Sequence, residues 1–208
     1  MTQETKRPAR RQRSDGARTH AAILEAATRL ASVTGIEGVT LGRLAAELGV
    51  SKSGLYAHFG SKEQLQLETI DTALEIFGRE VIGPAHEAPA GVRRLEALFA
   101  AYFSYLERWV FPGGCFFAAL LAEMDAQAGP VREKVVVVER AWMDEFTSYA
   151  EEARRLGEIR ADVDVGQVVF ELYACMELAN YHFVMFRDAA VLERGRRAVA
   201  RILDGVRT

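Results

Sequence analysis

Apolar side chains recur every three or four residues along most of the chain, which is the spacing of helices that each bury one face. No segment alternates apolar and polar residues in the way of a half-buried strand. The periodic pattern begins near Arg18 and predicts a first helix that ends at Gly35. The chain is therefore predicted to be all-α, with about nine helices. The apolar face of the first helix comprises Ile23, Ala26, Ala27, Leu30 and Val33.

Three further helix starts are marked by hydroxyl side chains, which cap the free N–H groups of a first helical turn. Thr40 precedes a helix that Gly49 ends, and Ser51 precedes a short helix that stops at Gly60. Ser61 begins a fourth helix with the sequence SKEQ, which is close to a capping box. The first part of the chain is thus predicted to form four helices in quick succession.

The second half of the chain is predicted to be helical as well. The run VVVV at 135–138 has strand propensity, but apolar residues step by three or four from Val131 to Leu156, and a pattern of that length favours a helix. The remaining helices are predicted near 91–110, 115–128, 163–187 and 189–205.

The segment from Thr40 to Phe59 meets the physical criteria of a helix-turn-helix. Ala45 is small, as the crossing point of two helices requires, and Gly49 accepts the positive φ of the tight turn between them. The second helix of such a pair enters the major groove of DNA with its N-terminal residues facing the base edges. The apolar residues predicted to be buried against the first helix are Leu44, Leu48, Val50 and Leu55.

The N-terminal residues of the third helix are therefore candidate contacts to bases. Lys52 can donate to O6 or N7 of guanine or to a phosphate, and Gly54 lets the backbone approach the DNA closely. Ser51 and Ser53 complete this group.

A second group of residues is suited to the phosphate backbone. Tyr56 and His58 carry a hydroxyl and a ring N–H that can donate to phosphate oxygens. Thr40 offers its hydroxyl and the N-terminus of its helix. Lys62 lies in the first turn of the fourth helix, where its charge is unfavourable for the helix dipole unless a phosphate offsets it. Arg43, in the second helix, is the remaining candidate DNA contact.

The charge distribution also indicates that the N-terminal part of the chain is the part that binds DNA. The net charge is −3, yet residues 1–62 hold ten Lys and Arg against five Asp and Glu, so that segment is +5 and the remainder is −8. A basic end on an acidic body favours a polyanionic partner for the basic end alone, although a solvated tail would carry the same charge. Residues 1–17 are polar and arginine-rich without periodicity, which predicts a disordered basic arm.

The string VTLGRLAAELGVSKSGLYAHFGSKEQL resembles the DNA-binding segment of the TetR family of bacterial transcriptional regulators. That segment commonly reads T-x-x-x-[IL]-A-x-x-[AL]-G-[VI]-[ST]-x-x-x-[LIV]-Y-x-[HY]-F-x-[SN]-K-x-x-L. One departure is Gly42, where many members have a polar or charged residue that can reach a base or phosphate. Gly42 also weakens its helix by roughly 0.5–1 kcal/mol relative to Ala. The matching residues are Thr40, Leu44, Ala45, Leu48, Gly49, Val50, Ser51, Leu55, Tyr56, His58, Phe59, Ser61, Lys62 and Leu65.

The resemblance is specific over residues 18–66 and extends to the rest in length and helical character. It implies a helix-turn-helix DNA-binding domain over 18–63 and a larger ligand-binding and dimerisation domain over 64–208. It also implies a homodimer that binds a near-palindromic double-stranded DNA operator and releases it when a small apolar or amphipathic effector enters the second domain. Repressor is the family's usual mode, and activator is the alternative. The segment PGGCFFAALLAEMDAQAGPVREKV is similar to one in many members, where Gly-Cys begins a central helix.

The second domain is rich in large apolar residues, which form either plain core or the walls of a cavity between helices. Polar groups that could face a ligand are Glu123, Glu177, Asn180 and His182, and for His182 a core or interface position is favoured. The candidate effector-binding residues are Trp109, Phe116, Phe117, Leu120, Met124, Trp142, Phe146, Tyr149, Tyr173, Met176 and Asn180.

The last two predicted helices contain VGQVVFELYACMELANYHFVMF and AVLERGRRAVARILDGV. The first of them is apolar around much of its circumference, which is more than burial on one side requires. The additional apolar face predicts a homodimer in which two helices from each chain form a bundle.

Other classes of protein fit the sequence less well. It contains none of the motifs of nucleotide-binding, α/β-hydrolase or zinc-protease sites, and Cys175 and His182 lack the further ligands of a zinc site, so no enzyme, metal or cofactor is predicted. A protein-interaction domain would leave the groove-facing residues unexplained. Cys115 and Cys175 are interpreted as small buried residues in a reducing cytosol rather than a redox pair. Without a signal peptide or the roughly 20 apolar residues that cross a bilayer, the protein is predicted to be cytoplasmic.

Overall fold

A computed structural model describes the backbone of residues 9–208 and the side chains from Gly16 onward. Nine helices and no named strand occur in this part of the chain, which confirms the all-α prediction. The fourth helix passes through a π-helical turn and is treated as one helix. The helices are α1 (Ala9–Thr34), α2 (Leu41–Leu48), α3 (Lys52–Phe59), α4 (Lys62–Phe77, continued by the π turn Gly78–Ile82 and by Gly83–Glu87), α5 (Val92–Glu107), α6 (Phe116–Met124), α7 (Pro130–Arg155), α8 (Val165–Phe186) and α9 (Ala190–Val206).

The first helix ends before Gly35, as predicted, but differs from its prediction in its start and in the burial of Val33. It begins at Ala9 rather than near Arg18, so the prediction of a disordered arm is wrong for residues 9–17, and residues 1–8 lie outside the described part of the chain. Its early turns lack an apolar face, and the good helix propensity of Arg, Gln and Ala accounts for the longer helix. Near its end, Val33 is 63% exposed instead of buried. The proposed domain boundaries at 17/18 and 63/64 remain a prediction.

Helices α1–α4 form a small compact unit in which α2 packs against α1 and α3, while α4 packs against α1 and α3. Leu44, Ala45 and Leu55 are buried in this unit, as predicted, and Leu48 is partly buried. Val50, by contrast, is 48% exposed. It follows the turn at Gly49, where its backbone N–H donates to the Ala45 carbonyl at 3.0 Å and its side chain faces away from the core.

The fourth helix continues out of this unit into the second domain. Its π turn, Gly78–Ile82, ends two residues before Pro84. A proline ring lacks an N–H and clashes with the carbonyl four residues earlier, and a wider turn relieves that clash. The helix therefore stays continuous, and both Ile82 and His86 line a cavity of the second domain.

The second domain is built around α5, which contacts α4, α7 and α9. Helices α8 and α9 pack closely along each other. A Cβ atom placed on Gly195 of α9 would lie 2.9 Å from the Phe103 ring and 3.0 Å from the Ala179 Cβ, so only glycine permits this approach of the helices. Both cysteines are free; Cys115 is buried and Cys175 is half-buried. No helix of the described chain has the length and apolar content to span a membrane.

Candidate nucleic-acid interface and ligand cavity

The N-terminus of α3 is exposed and held in place by its own cap. The Ser51 hydroxyl oxygen accepts the Gly54 N–H at 3.1 Å, and the Ser53 hydroxyl lies 3.3 Å from it. All four residues from Ser51 to Gly54 face solvent, and Lys52 takes part in no ion pair within the described chain. The four predicted base-contacting residues thus form one free surface at the start of a capped helix.

The rest of α3 has two distinct sides. Leu55 and Phe59 are four residues apart and buried, whereas Tyr56 and His58 are exposed. His20 of α1 stacks on Phe59, with ring centroids 4.7 Å apart, and lies 5.8 Å from the His58 ring. This arrangement anchors α3 to α1 through its buried side and leaves the two candidate phosphate donors free on the other side.

The remaining candidate DNA contacts have partners within the protein or lie exposed nearby. The Thr40 hydroxyl oxygen caps α2 by accepting the Arg43 N–H at 3.2 Å, and the Arg43 side chain is exposed. Lys62 is paired with Glu37, whose carboxylate oxygen lies 2.6 Å from the ammonium nitrogen. This hydrogen bond is the main cause of a lowered pKa at Glu37. A phosphate would therefore have to share Lys62 with Glu37, which the sequence did not indicate.

Glu123 connects the two domains. Its carboxylate accepts the backbone N–H groups of Ile36 at 2.6 Å and of Glu37 at 2.8 Å, both in the turn between α1 and α2. Gly35 precedes them with φ +76°, and a Cβ there would lie 2.6 Å from the carboxylate. A second contact links the domains nearby, where the Gly113 N–H donates to the Ser32 hydroxyl at 3.2 Å.

The prediction that Glu123 faces a ligand is therefore corrected. Glu123 lies six residues after Phe117 on α6, and at 100° per residue the two side chains point about 120° apart around the helix. Phe117 lines a cavity in the second domain, so Glu123 faces the DNA-binding unit instead.

The second domain encloses a cavity of about 320 Å³ between α4, α5, α6, α7 and α8. Aromatic rings form much of its wall: Phe77 meets Trp142 and Phe117 edge to face, with centroid distances of 5.3 and 5.5 Å. The lining residues are Leu74, Phe77, Ile82, His86, Tyr102, Cys115, Phe117, Val138, Glu139, Ala141, Trp142, Glu145, Tyr173, Met176 and Glu177.

Four of the predicted effector-binding residues line this cavity, and the others do not. The four are Phe117, Trp142, Tyr173 and Met176, together with Glu177 among the predicted polar groups. Helical periodicity identifies buried positions but does not separate a cavity wall from solid core. The residues that belong to the surrounding core instead are Phe116, Leu120, Met124 and Phe146.

Specific partners explain the positions of the other three displaced residues, Trp109, Tyr149 and Asn180. Trp109 stacks on Phe183 with ring centroids 4.6 Å apart, at the end of α5. Tyr149 donates to Glu145, and the Asn180 side-chain oxygen accepts the Cys115 N–H at 2.9 Å. His182, for which a core or interface position was favoured over a ligand contact, is exposed and does not line the cavity.

Sequence reasoning missed most of the charged groups in the cavity. Burial raises the pKa of Glu177 to about 7, with the neighbouring Glu139 carboxylate as a second cause. Burial also raises the pKa of Glu139, although a hydrogen bond from Tyr173 opposes it. Glu145 has a lowered pKa because Tyr149 and then His86 donate to it. One signal was available, since Glu139 occupies a position of the apolar α7 stripe, four residues after Val135.

Comparisons with known proteins agree with these two features. Residues 23–69 match the family described as bacterial regulatory proteins, tetR family, and residues 91–199 match the family described as Tetracyclin repressor-like, C-terminal domain. The chain is 33% identical over 140 residues to the HTH-type transcriptional regulator LmrA of Bacillus subtilis (strain 168), which covers 65% of this chain and 71% of that protein. It is 25% identical over 185 residues to the HTH-type transcriptional repressor DhaR of Mycobacterium sp. (strain GP1), with 88% of each chain covered.

A solved structure shows the same fold. The TetR transcriptional regulator from Chloroflexus aurantiacus J-10-FL superimposes with a TM-score of 0.85 at 28% identity, over 93% of this chain and 98% of that chain.

Proposed function

Because the chain belongs to the TetR family of DNA-binding transcriptional regulators, we propose that it is a repressor released from DNA by a small molecule. It binds a near-palindromic operator as a homodimer and dissociates when an apolar or amphipathic effector occupies the cavity between α4 and α8. The name of the relative DhaR, a transcriptional repressor, supports repression over activation.

The observation that carries this proposal is the exposed start of α3. Lys52 has no ion-pair partner in the described chain, and Ser51 holds the first turn in helical geometry through its cap. A fixed helix with a free cation and accessible small residues at its N-terminus suits the major groove, where Lys can donate to guanine. The exposed side chains of Tyr56 and His58 are placed to donate to phosphates.

An exposed apolar stripe on α8 supports the proposed homodimer. Phe170, Leu178 and Met185 are 66%, 56% and 75% exposed, and they recur at spacings of eight and seven residues on one side of the helix. Large apolar side chains in such a stripe mark a surface that a partner covers. A second copy of the chain covers this surface by two-fold symmetry, and the resulting dimer presents two α3 helices to adjacent major grooves.

The cavity and the Glu123 contact support the proposed release. Helix α6 contributes Phe117 to the cavity wall and Glu123 to the turn between α1 and α2. An effector that fits better to one position of α6 than to another shifts the equilibrium between DNA-competent and DNA-incompetent arrangements.

Fluorescence anisotropy with a labelled operator fragment tests the DNA-binding part of the proposal. Binding releases counterions from the phosphates, so affinity is expected to fall steeply between about 50 and 200 mM salt. A flat salt response would contradict the proposed mode of binding.

The effector part is tested by the same titration with apolar and amphipathic compounds that bind the second domain in a thermal-shift screen. Occupied protein is expected to lose operator affinity by the roughly 5–150-fold typical of allosteric coupling. Compounds that bind the cavity and never alter operator affinity would refute the sensor mechanism.

A further inference from the structure

The cavity contains two carboxylates without a basic partner. Glu139 of α7 and Glu177 of α8 both line it, and neither forms an ion pair with any Lys, Arg or His of the described residues. Glu145, the third carboxylate of the wall, differs because its oxygen lies 2.8 Å from the His86 ring nitrogen and also accepts the Tyr149 hydroxyl. The unpaired charge of the cavity therefore belongs to Glu139 and Glu177.

Two such carboxylates are poorly accommodated by their surroundings. Each is partly buried among apolar and aromatic side chains, and each carries the same charge as the other. Taking a carboxylate out of water is unfavourable unless an opposite charge or hydrogen-bond donors compensate it. The neighbours Val138 and Met176 are apolar, and the hydrogen bond from Tyr173 of α8 offsets the burial of Glu139 only in part.

An independent polar group faces the same cavity. The Tyr102 hydroxyl of α5 is fully buried and has no hydrogen-bond partner among the described residues. Buried polar atoms in proteins normally form hydrogen bonds, so the Tyr102 hydroxyl at the cavity wall is available to a ligand. A phenol oxygen can accept a hydrogen bond from an ammonium group.

The aromatic wall completes a site for positive charge. Phe77 contacts both Phe117 and Trp142 edge to face at the cavity wall, and Tyr173 is hydrogen-bonded to Glu139. The faces of such rings attract cations, most strongly where water is excluded. An apolar cavity with aromatic faces, two unpaired carboxylates and an open phenol is suited to an organic cation rather than to an anion.

We propose that the effector is a lipophilic organic cation, either a protonated amine or a quaternary ammonium, whose charge lies between Glu139 and Glu177 and whose apolar body contacts Trp142 and Phe117. This inference rests on the proposed function in that it takes the cavity as the effector site. The cation compensates the two carboxylates, and an amine donates in addition to the Tyr102 hydroxyl oxygen.

Three probes of matched shape test the charge preference: 4-phenylbutylamine, 4-phenylbutan-1-ol and 4-phenylbutanoate, with 4-phenylbutyl-trimethylammonium as the quaternary analogue. Isothermal titration calorimetry on the full-length wild-type protein at pH 8 measures binding. The amine is expected to bind at least about tenfold more tightly than the alcohol, and the carboxylate more weakly than either.

Isosteric variants then assign the preference to the two carboxylates. Glu177→Gln and Glu139→Gln are each expected to weaken amine binding about tenfold while changing alcohol binding less than about threefold. Glu171→Gln is the matched control, because Glu171 lies on the same helix α8 but is exposed and outside the cavity. It removes the same charge and is expected to leave the binding of every probe unchanged. Thermal unfolding of each variant shows that the fold is retained.

Several outcomes separate this inference from the proposed function. Equal binding of amine and alcohol, or amine binding unaffected by both glutamine variants, would overturn the cation site. If the alcohol or the carboxylate binds best and releases the operator, the sensor function stands and the cation inference falls. If the amine binds through Glu177 without altering operator affinity, the cation site stands and the proposed release falls. Failure of every probe to bind would overturn the cation site alone, because the salt titration and the compound screen test the proposed function separately.

Discussion

Replacement of Glu123 by glutamine perturbs the contact through which the second domain holds the DNA-binding unit. The wild-type carboxylate accepts two backbone N–H groups, from Ile36 at 2.6 Å and Glu37 at 2.8 Å. Glutamine has nearly the same shape but only one acceptor oxygen, and its NH₂ group would face one of the two donors. The variant therefore tests the charge and the second acceptor without leaving a cavity.

The magnitude follows from the kind of hydrogen bond that is lost. A hydrogen bond to a charged group contributes about 1.5–3 kcal/mol, and the Glu37 donor is exposed, which favours the lower part of that range. We expect Glu123→Gln to lower the free energy of unfolding by ~2 kcal/mol in urea titrations. We also expect the effector to change operator affinity less than about threefold in this variant, because a movement of α6 is no longer transmitted to the turn between α1 and α2.

Glu158→Gln is a closely matched control for this prediction. The Glu158 carboxylate accepts the Val92 N–H at 2.6 Å and lies against Gly91, another glycine of positive φ, but it is remote from the DNA-binding unit. Its replacement is expected to cost less stability than Glu123→Gln, because the amide oxygen can still accept the single Val92 N–H, and to leave the response to effector intact. If both variants respond to effector like the wild type in anisotropy titrations, the Glu123 contact does not transmit the signal and the reasoning is refuted.

Three further predictions concern two glycines, two candidate DNA contacts and the titration of Glu177. Gly42→Ala should raise the free energy of unfolding by ~0.5–1 kcal/mol and leave operator affinity unchanged, because an added Cβ meets no atom within 4 Å. Gly54→Ala should weaken operator binding in the same anisotropy assay. Equal operator affinities of the two variants would show that DNA does not approach Gly54 closely. Lys52→Ala should lose ~1–3 kcal/mol of discrimination between operators that differ by one base, whereas Tyr56→Ala should weaken all of them equally, and loss of discrimination in both would contradict the separate roles. The pKa of Glu177 is raised from 4.5 to about 7 in the folded state, so between these pH values the folded state binds more protons than the unfolded state. The free energy of unfolding of the wild type should therefore fall by at most ~3 kcal/mol as pH rises through that window. Urea titrations of Glu177→Gln should lack this part of the fall, and parallel pH profiles of the two proteins would contradict the prediction.

The DNA-binding unit was predictable because its determinants are local. Thr40 caps the N-terminus of α2 and Ser51 caps the N-terminus of α3. Gly49 adopts the left-handed conformation, with φ 66°, that the tight turn between them needs. Leu55 and Phe59 are buried four residues apart, as the period of a helix requires. Each of these features depends on a few neighbouring residues, which a sequence displays directly.

The cavity was less predictable because it depends on how separate helices meet. Phe116 and Phe117 are adjacent aromatic residues of α6, yet only Phe117 lines the cavity, since neighbouring side chains on a helix point about 100° apart. The rotation of α6 is fixed by contacts such as Glu123 with the turn after α1, which join residues 87 apart in sequence. Periodicity identifies the buried face of each helix but not its partner.

The measurement that tests the central proposal most directly is selection of DNA by the wild-type protein from a random duplex pool. A homodimer that reads DNA with two α3 helices should enrich two inverted half-sites whose centres lie about one helical turn, ~34 Å, apart. Recovery of such a near-palindrome is the predicted result. Recovery of no enriched sequence, or of one lacking inverted symmetry, would contradict the account of this protein as a dimeric operator-binding repressor.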